Sequence, residues 1–143
     1  MEFLKQYTDY VIFGVLAIMS VMMLYKVLER SFFYLRVKPE KYDNIHALEL
    51  DLSKGLTPIY TAGATAPYVG LLGTVVGILI TFYDMGQAGG DIDAGNIMLG
   101  LALALKATAA GILVAIPSVM FYNALTAKVE AKKLAWQSYR SRS

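Results

Sequence analysis

The chain has 143 residues, 57% of them hydrophobic and 17% charged, with a net charge of +2 and a mean hydropathy of +0.50. Soluble domains carry about a quarter charged residues, so this balance argues against a water-soluble domain and gives no support to nucleic-acid binding. With no cysteine, disulfides, thiolate metal sites and cysteine nucleophiles are excluded together.

Residues 10–25 carry no charge, and extending past Lys26 to residue 28 gives about 28 Å of helix, enough to cross the hydrocarbon core if Lys26 snorkels. A first span is predicted over about 10–28. Glu2 and Asp9 spoil a basic leader region, and no A-x-A site precedes Glu29 and Arg30, so a retained span is expected rather than a cleaved signal.

The linker 29–61 holds Arg30, Arg36, Lys38, Lys41 and Lys54. Tyr42, Ile45, Leu48 and Leu52 recur at helical spacing within it and predict a short amphipathic helix lying against the ends of the spans. His46 sits among Asp43, Asn44 and Glu49 and reads as a solvated side chain rather than a ligand or a base.

Residues 55–83 are uncharged, and between Asp93 and Lys128 the only charge is Lys106. Each interval exceeds the ~20 apolar residues that a spanning helix requires, which predicts spans over about 62–83 and 97–125. Both intervals are long for a bilayer, so helical extensions are expected, from near Pro58 and on toward Lys132.

The loop 84–96 has Asp84, Asp91 and Asp93, no basic residue, and a flexible run from Gly86 to Gly90. The tail 126–143 has Lys128, Lys132, Lys133, Arg140 and Arg142. The distribution of Lys and Arg therefore places linker and tail in the cytoplasm, and the N-terminus and the loop outside it. The expected fold class is an all-α membrane protein, a single membrane domain over 1–143 with three transmembrane helices and helical cytoplasmic extensions.

At 100° per residue, Gly63, Ala66, Gly70, Thr74, Gly77 and Thr81 form one stripe on the second span. Gly100, Ala104, Thr108, Gly111, Ala115, Ser118 and Tyr122 form a matching stripe on the third. Small stripes let helix backbones approach closely, while two mid-span threonines also suit a narrow water or proton path. Both readings stay open on the residues alone. Pro67 and Pro117 bend their helices.

Lys106 costs about 2.5–3.5 kcal/mol at mid-span on insertion scales. It lies about 200° from Thr108, off the stripe. It requires an acid on another chain, a lipid phosphate or bound water, in a structural or an ion-handling role. No aspartate or glutamate is expected in the core of any span, so a proton relay would take its titrating acid from another protein.

The run ATAPYVGLLGTVVGI at 64–78 resembles the second-span signature of the MotA/TolQ/ExbB proton-channel family. ATAAGILVAIP at 107–117, followed by Tyr122 and Asn123, is similar to its last helix, in the family's order. The resemblance is strong from about 60 to 125 and is greatest to the ExbB branch, of which this would be a compact member.

That resemblance implies an inner-membrane homopentamer whose second and third helices line a central pore around ExbD-like single-span subunits, each with a membrane aspartate. It implies that proton-motive force is coupled through a TonB-like protein to outer-membrane import. It further implies that Thr74 and Thr108 line the proton pathway, that Gly70, Gly73, Gly77 and Gly111 pack the helices, and that Pro67 and Pro117 bend them. Lys106 is a candidate intramembrane charge partner. Where many ExbB proteins have a glutamate just before the Ala-Thr motif, this chain has Leu103.

A TolQ-like subunit of the Tol-Pal envelope system, a flagellar-type stator and a non-conducting scaffold are the alternatives. No enzyme is expected, since no nucleophile, metal cluster or carboxylate pair shares a membrane depth, and no metal or cofactor is expected.

Overall fold

The computed structural model describes residues 2–87, 89 and 93–142, and no strand occurs among them. Helix α1 spans Glu2–Arg36. A short 3-10 turn, Pro39–Lys41, leads to α2, Ile45–Ser53. Then come α3, Thr57–Gln87, and α4, Ala94–Arg142. Three helices, α1, α3 and α4, are long and apolar enough to cross a membrane, and the expected spans fall inside them. Of the predicted loop, Ala88, Gly90, Asp91 and Ile92 lie outside the described residues.

The helices outrun the sequence expectation. At about 1.5 Å per residue, the 49 residues of α4 reach about 74 Å, more than twice the ~30 Å of a hydrocarbon core. The tail, expected to stay helical only toward Lys132, is helical to Arg142. Its start is capped by Asp93, whose Oδ1 accepts from the Gly95 amide at 2.9 Å, satisfying one of the orphan donors at a helix N-terminus.

Helices α3 and α4 pack antiparallel, with Thr81 beside Gly100, Gly70 beside Gly111, and Gly63 beside Ser118 and Val119. Helix α1 lies against both, seating Ile12 beside Gly73. Ile12 and Leu16 form a buried cluster with Ala66, Ala107 and Ala115. Most other bulky side chains of the spans point outward, among them Tyr68, Leu72, Leu79, Leu99 and Leu113, as lipid or neighbouring chains would require.

The linker does form the short helix expected of its apolar stripe. Asn44 caps α2 by accepting from the Ala47 amide at 2.8 Å, and Leu48 and Leu52 are fully buried. They join Met23, Val27, Tyr34, Leu56, Ile59, Leu125 and Val129 in a second cluster. Tyr34 donates from its hydroxyl to the Leu52 carbonyl at 2.5 Å. Gly55 turns the chain between α2 and α3 with φ +85, a conformation that costs glycine nothing and other residues 1–2 kcal/mol, roughly.

Arg30 reads in the sequence as one more cytoplasmic cation, yet only 6% of it is exposed. Its Nη1 donates to the Asp51 carbonyl at 2.7 Å, its Nε and Nη2 meet Glu29 Oε2 at 2.7 Å, and its guanidinium sits 4.3 Å from the Phe33 ring centroid. A buried charge persists only when so satisfied. Further along, Tyr42 donates to Asp51 Oδ2 at 2.7 Å. Trp136 Nε1 donates to the Tyr42 carbonyl at 3.0 Å, tying the far end of α4 to the linker.

Candidate functional site

The two small-residue stripes face each other within one chain. Gly63, Ala66, Gly70, Thr74 and Thr81 are buried on α3, against Gly100, Ala104, Gly111, Ala115 and Ser118 on α4. At the crossing, a Cβ added to Gly70 would stand 2.5 Å from the Ala107 carbonyl oxygen, and one added to Gly111 would stand 2.5 Å from that of Ala66. Both obstacles are backbone, so only glycine fits. Gly73 and Gly77 are tight in a softer way, each with an added Cβ 2.8 Å from an alanine Cβ, of Ala107 and Ala104 respectively.

Thr74 and Thr108 meet across this contact, one helical turn from the glycine crossing. Their hydroxyls are hydrogen-bonded to each other. Thr74 Oγ1 also lies 2.8 Å from the Ala104 carbonyl and 3.3 Å from that of Gly70. A threonine hydroxyl has one proton and two lone pairs. When Thr74 donates to Ala104, Thr108 donates to Thr74, and the lone pairs of Thr108 remain able to accept. Thr74 is buried while Thr108 is half-buried, so the pair is accessible from the Thr108 side. The pair can orient and pass on a proton; it cannot store one, since neither hydroxyl titrates at ordinary pH.

The hydroxyls of Thr81 and Ser118 on the same face are spent locally. Thr81 donates to the Gly77 carbonyl at 2.9 Å and Ser118 to that of Val114 at 2.8 Å, each one turn back along its own helix. Pro67 and Pro117 lie inside α3 and α4, where each deletes one internal hydrogen bond.

Lys106 is exposed, on the side of α4 away from the pair. Leu99, Ala102, Ala109, Leu113, Ile116 and Met120, all exposed as well, extend its face at alternating three- and four-residue steps, the spacing of a helix-packing seam. The alanines on either side of Lys106 leave room around its ammonium. Leu103 is exposed too, at 42%.

Sequence reasoning counts Asp9 with the N-terminal segment and does not see its neighbours on two other helices; its side chain is exposed. Helix α1 runs antiparallel to α3 in a register that sets Asp9 beside Gly77 and Ile80, and beside Leu103 and Ala104 of α4, where with Lys5 and Thr8 they line a cleft of about 10 Å³. A larger cavity of about 410 Å³ opens at the loop end, lined by Lys5, Thr81, Asp84, Asp93, Asn96 and Leu103 among others. That register depends on how Ile12 seats on Gly73, which no local pattern in α1 announces. Among the described residues no His, Cys, Asp and Glu cluster could hold a metal ion.

Comparison with known proteins matches residues 26–138 to the model of the MotA/TolQ/ExbB proton channel family. The chain is 54% identical over 128 residues to a biopolymer transport protein ExbB of Helicobacter pylori strain J99, covering 90% of this chain and 88% of that protein. Identity to the ExbB of Aquifex aeolicus is 48% over 141 residues, covering 96% and 93%. A putative ExbB-like 2 protein of Helicobacter pylori strain 26695 is 46% identical over 136 residues, covering 95% and 90%.

Proposed function

We propose, because this chain belongs to the MotA/TolQ/ExbB proton channel family, that it is the channel subunit of a TonB-type energising complex of the bacterial inner membrane. It is a multi-pass membrane protein of the biopolymer transport class. In this reading several copies, five by family analogy, surround single-span ExbD-like subunits that each bring a membrane aspartate. Linker and tail lie in the cytoplasm, and the N-terminus and the 84–96 loop in the periplasm, as the basic residues of 29–61 and 126–143 favour.

The observation that carries the proposal is the Thr74–Thr108 hydroxyl pair, set in a glycine-lined contact and left with acceptor lone pairs at Thr108. Proton-motive force protonates the partner's aspartate at this level. Protonation removes that charge, releases the partner helix from its hold and lets it shift, and a TonB-like protein transmits the shift to outer-membrane receptors. Gly70, Gly73, Gly77 and Gly111 keep α3 and α4 close enough for the pair to form, and Pro67 and Pro117 give each helix a point of bending. Lys106, on the opposite face, offers a countercharge to a neighbouring chain in the membrane.

The test is the Thr74→Val, Thr108→Val double variant, which preserves shape and deletes both hydroxyls. TonB-dependent uptake is expected to fall about tenfold or more, the loss that follows from removing ~1.4 kcal/mol or more of hydrogen bonding along the path. Unchanged uptake in a stably inserted double variant would sink the proposal.

A further inference from the structure

The cleft and the loop-end cavity share two lining residues, Lys5 and Leu103, and so lie next to each other, with those two side chains between them. We propose that Asp9 is this chain's own protonatable group on the way from the loop-side solution to the Thr74–Thr108 pair, which makes α1 part of the conduction path. The inference rests on the proton-channel reading of the α3–α4 face and adds a residue to it from outside the stretch 26–138 that the family model covers.

The passage narrows in the right order. Its wide outer part presents Lys5, Asp84, Asp93 and Asn96, a polar mouth that holds water and attracts protons. Its inner part presents Asp9 and Thr8 and, at about 10 Å³, has room for roughly one water molecule. The inner wall is formed by Gly77 and Ala104, and the Ala104 carbonyl is the group that takes the Thr74 hydroxyl at 2.8 Å. Beyond that wall the small-residue face carries no carboxylate, so Asp9 is the deepest carboxylate on this route.

The proton balance is simple. A hydronium ion in the outer cavity gives its proton to a carboxylate oxygen of Asp9, leaving water behind. The neutral acid then donates the proton to the cleft water, and the restored carboxylate is ready for the next one. That water stands one helical turn from the pair, where the proposed partner's aspartate takes the proton. The charged groups that line the passage with Asp9 are Lys5 on its own helix, Asp84 on α3 and Asp93 at the start of α4.

The experiment uses the chain co-purified with its single-span partner and reconstituted in liposomes holding a pH-sensitive dye, with acid imposed on the loop side. Asp9→Asn is expected to slow proton flux about a hundredfold, the scale of losing one positioned acid–base group, and Asp9→Glu to restore it. Thr74→Val separates the two ideas. Flux lost in Thr74→Val but intact in Asp9→Asn overturns the role of Asp9 and leaves the channel standing; flux intact in both overturns the channel itself.

Because the chain has no cysteine, access can be read separately from flux. Asp9→Cys should react with a membrane-impermeant thiol reagent added on the loop side. Leu79→Cys, at a similar height on the exposed side of α3, should not. An unlabelled Asp9→Cys would show that no water reaches this position and would overturn the proposal.

Discussion

Two regions hold this chain together by opposite means. Where α3 crosses α4, side chains have been reduced almost to nothing, and the backbones of Gly70 and Gly111 approach until no Cβ fits. Beneath α2, large side chains fill the space instead: Tyr34, Leu48, Leu52 and Ile59 are all but fully buried, and Arg30 and Tyr34 reach out to backbone carbonyls. The first region lies within the apolar spans, where lipid is as apolar as leucine and only close contact distinguishes helix from solvent. The second gathers around the charged linker, where burying apolar area is itself favourable. A glycine therefore does in the crossing what a leucine does in the collar.

The comparison breaks hardest at the crossing. Gly111→Leu places a branched side chain where even a Cβ meets the Ala66 carbonyl at 2.5 Å; α3 and α4 are expected to separate, with loss of folded protein in detergent extracts. Gly14→Ala is the matched control, since nothing lies within 4 Å of an added Cβ there, and its thermal midpoint should stay at or slightly above the parent's.

The next effect belongs to the collar. Tyr34→Ala should cost about 3–5 kcal/mol as an unfilled aromatic cavity. Tyr34→Phe, which keeps the ring and loses only the bond to Leu52, should cost about 1 kcal/mol. Equal losses in the two variants, measured by denaturant unfolding in micelles, would mean that the hydroxyl rather than the packing holds α2 in place.

The smallest effect is a matter of pH. Burial, then the hydrogen bond to Asp51 and the charge of Asp51, push the Tyr42 phenol up to about 12 from an ordinary 10.0. The folded-state value lies above the unfolded one, so the stability from this bond is fully present below pH 10 and is lost as pH rises through about 12. Tyr42→Phe should flatten that part of the stability profile and leave the profile below pH 10 unchanged in shape.

Much of this was legible in the sequence, because the relevant signals are local. Charge-free intervals locate three spans, and the 3.6-residue period finds both small stripes and the buried Leu48 and Leu52 of α2. The stripes alone could not say what they face. They face each other, which joins Thr74 of α3 and Thr108 of α4 in one hydrogen-bonded pair. Arg30 reads as a solvated cation because its acceptors, Glu29 aside, come from Asp51, 21 residues on. Asp9 stayed hidden for a similar reason, since its surroundings are set by the register between three helices. What escaped the sequence in each case is a contact between segments far apart along the chain.

Helix α4 is one uninterrupted element from beside the loop to Arg142, and it is fastened along its length, with Leu125 and Val129 buried beneath α2 between two distant hydrogen bonds. Thr108 binds it to α3, and Trp136 binds it to the linker through the Tyr42 carbonyl. A rod held in this way cannot move at one point without loading the others. One place where it can give is Pro117, where one rung of the helical ladder is missing. A displacement at the hydroxyl pair is thus divided between flexure at Pro117 and strain at the tail, in proportions set by how stiff that single joint is.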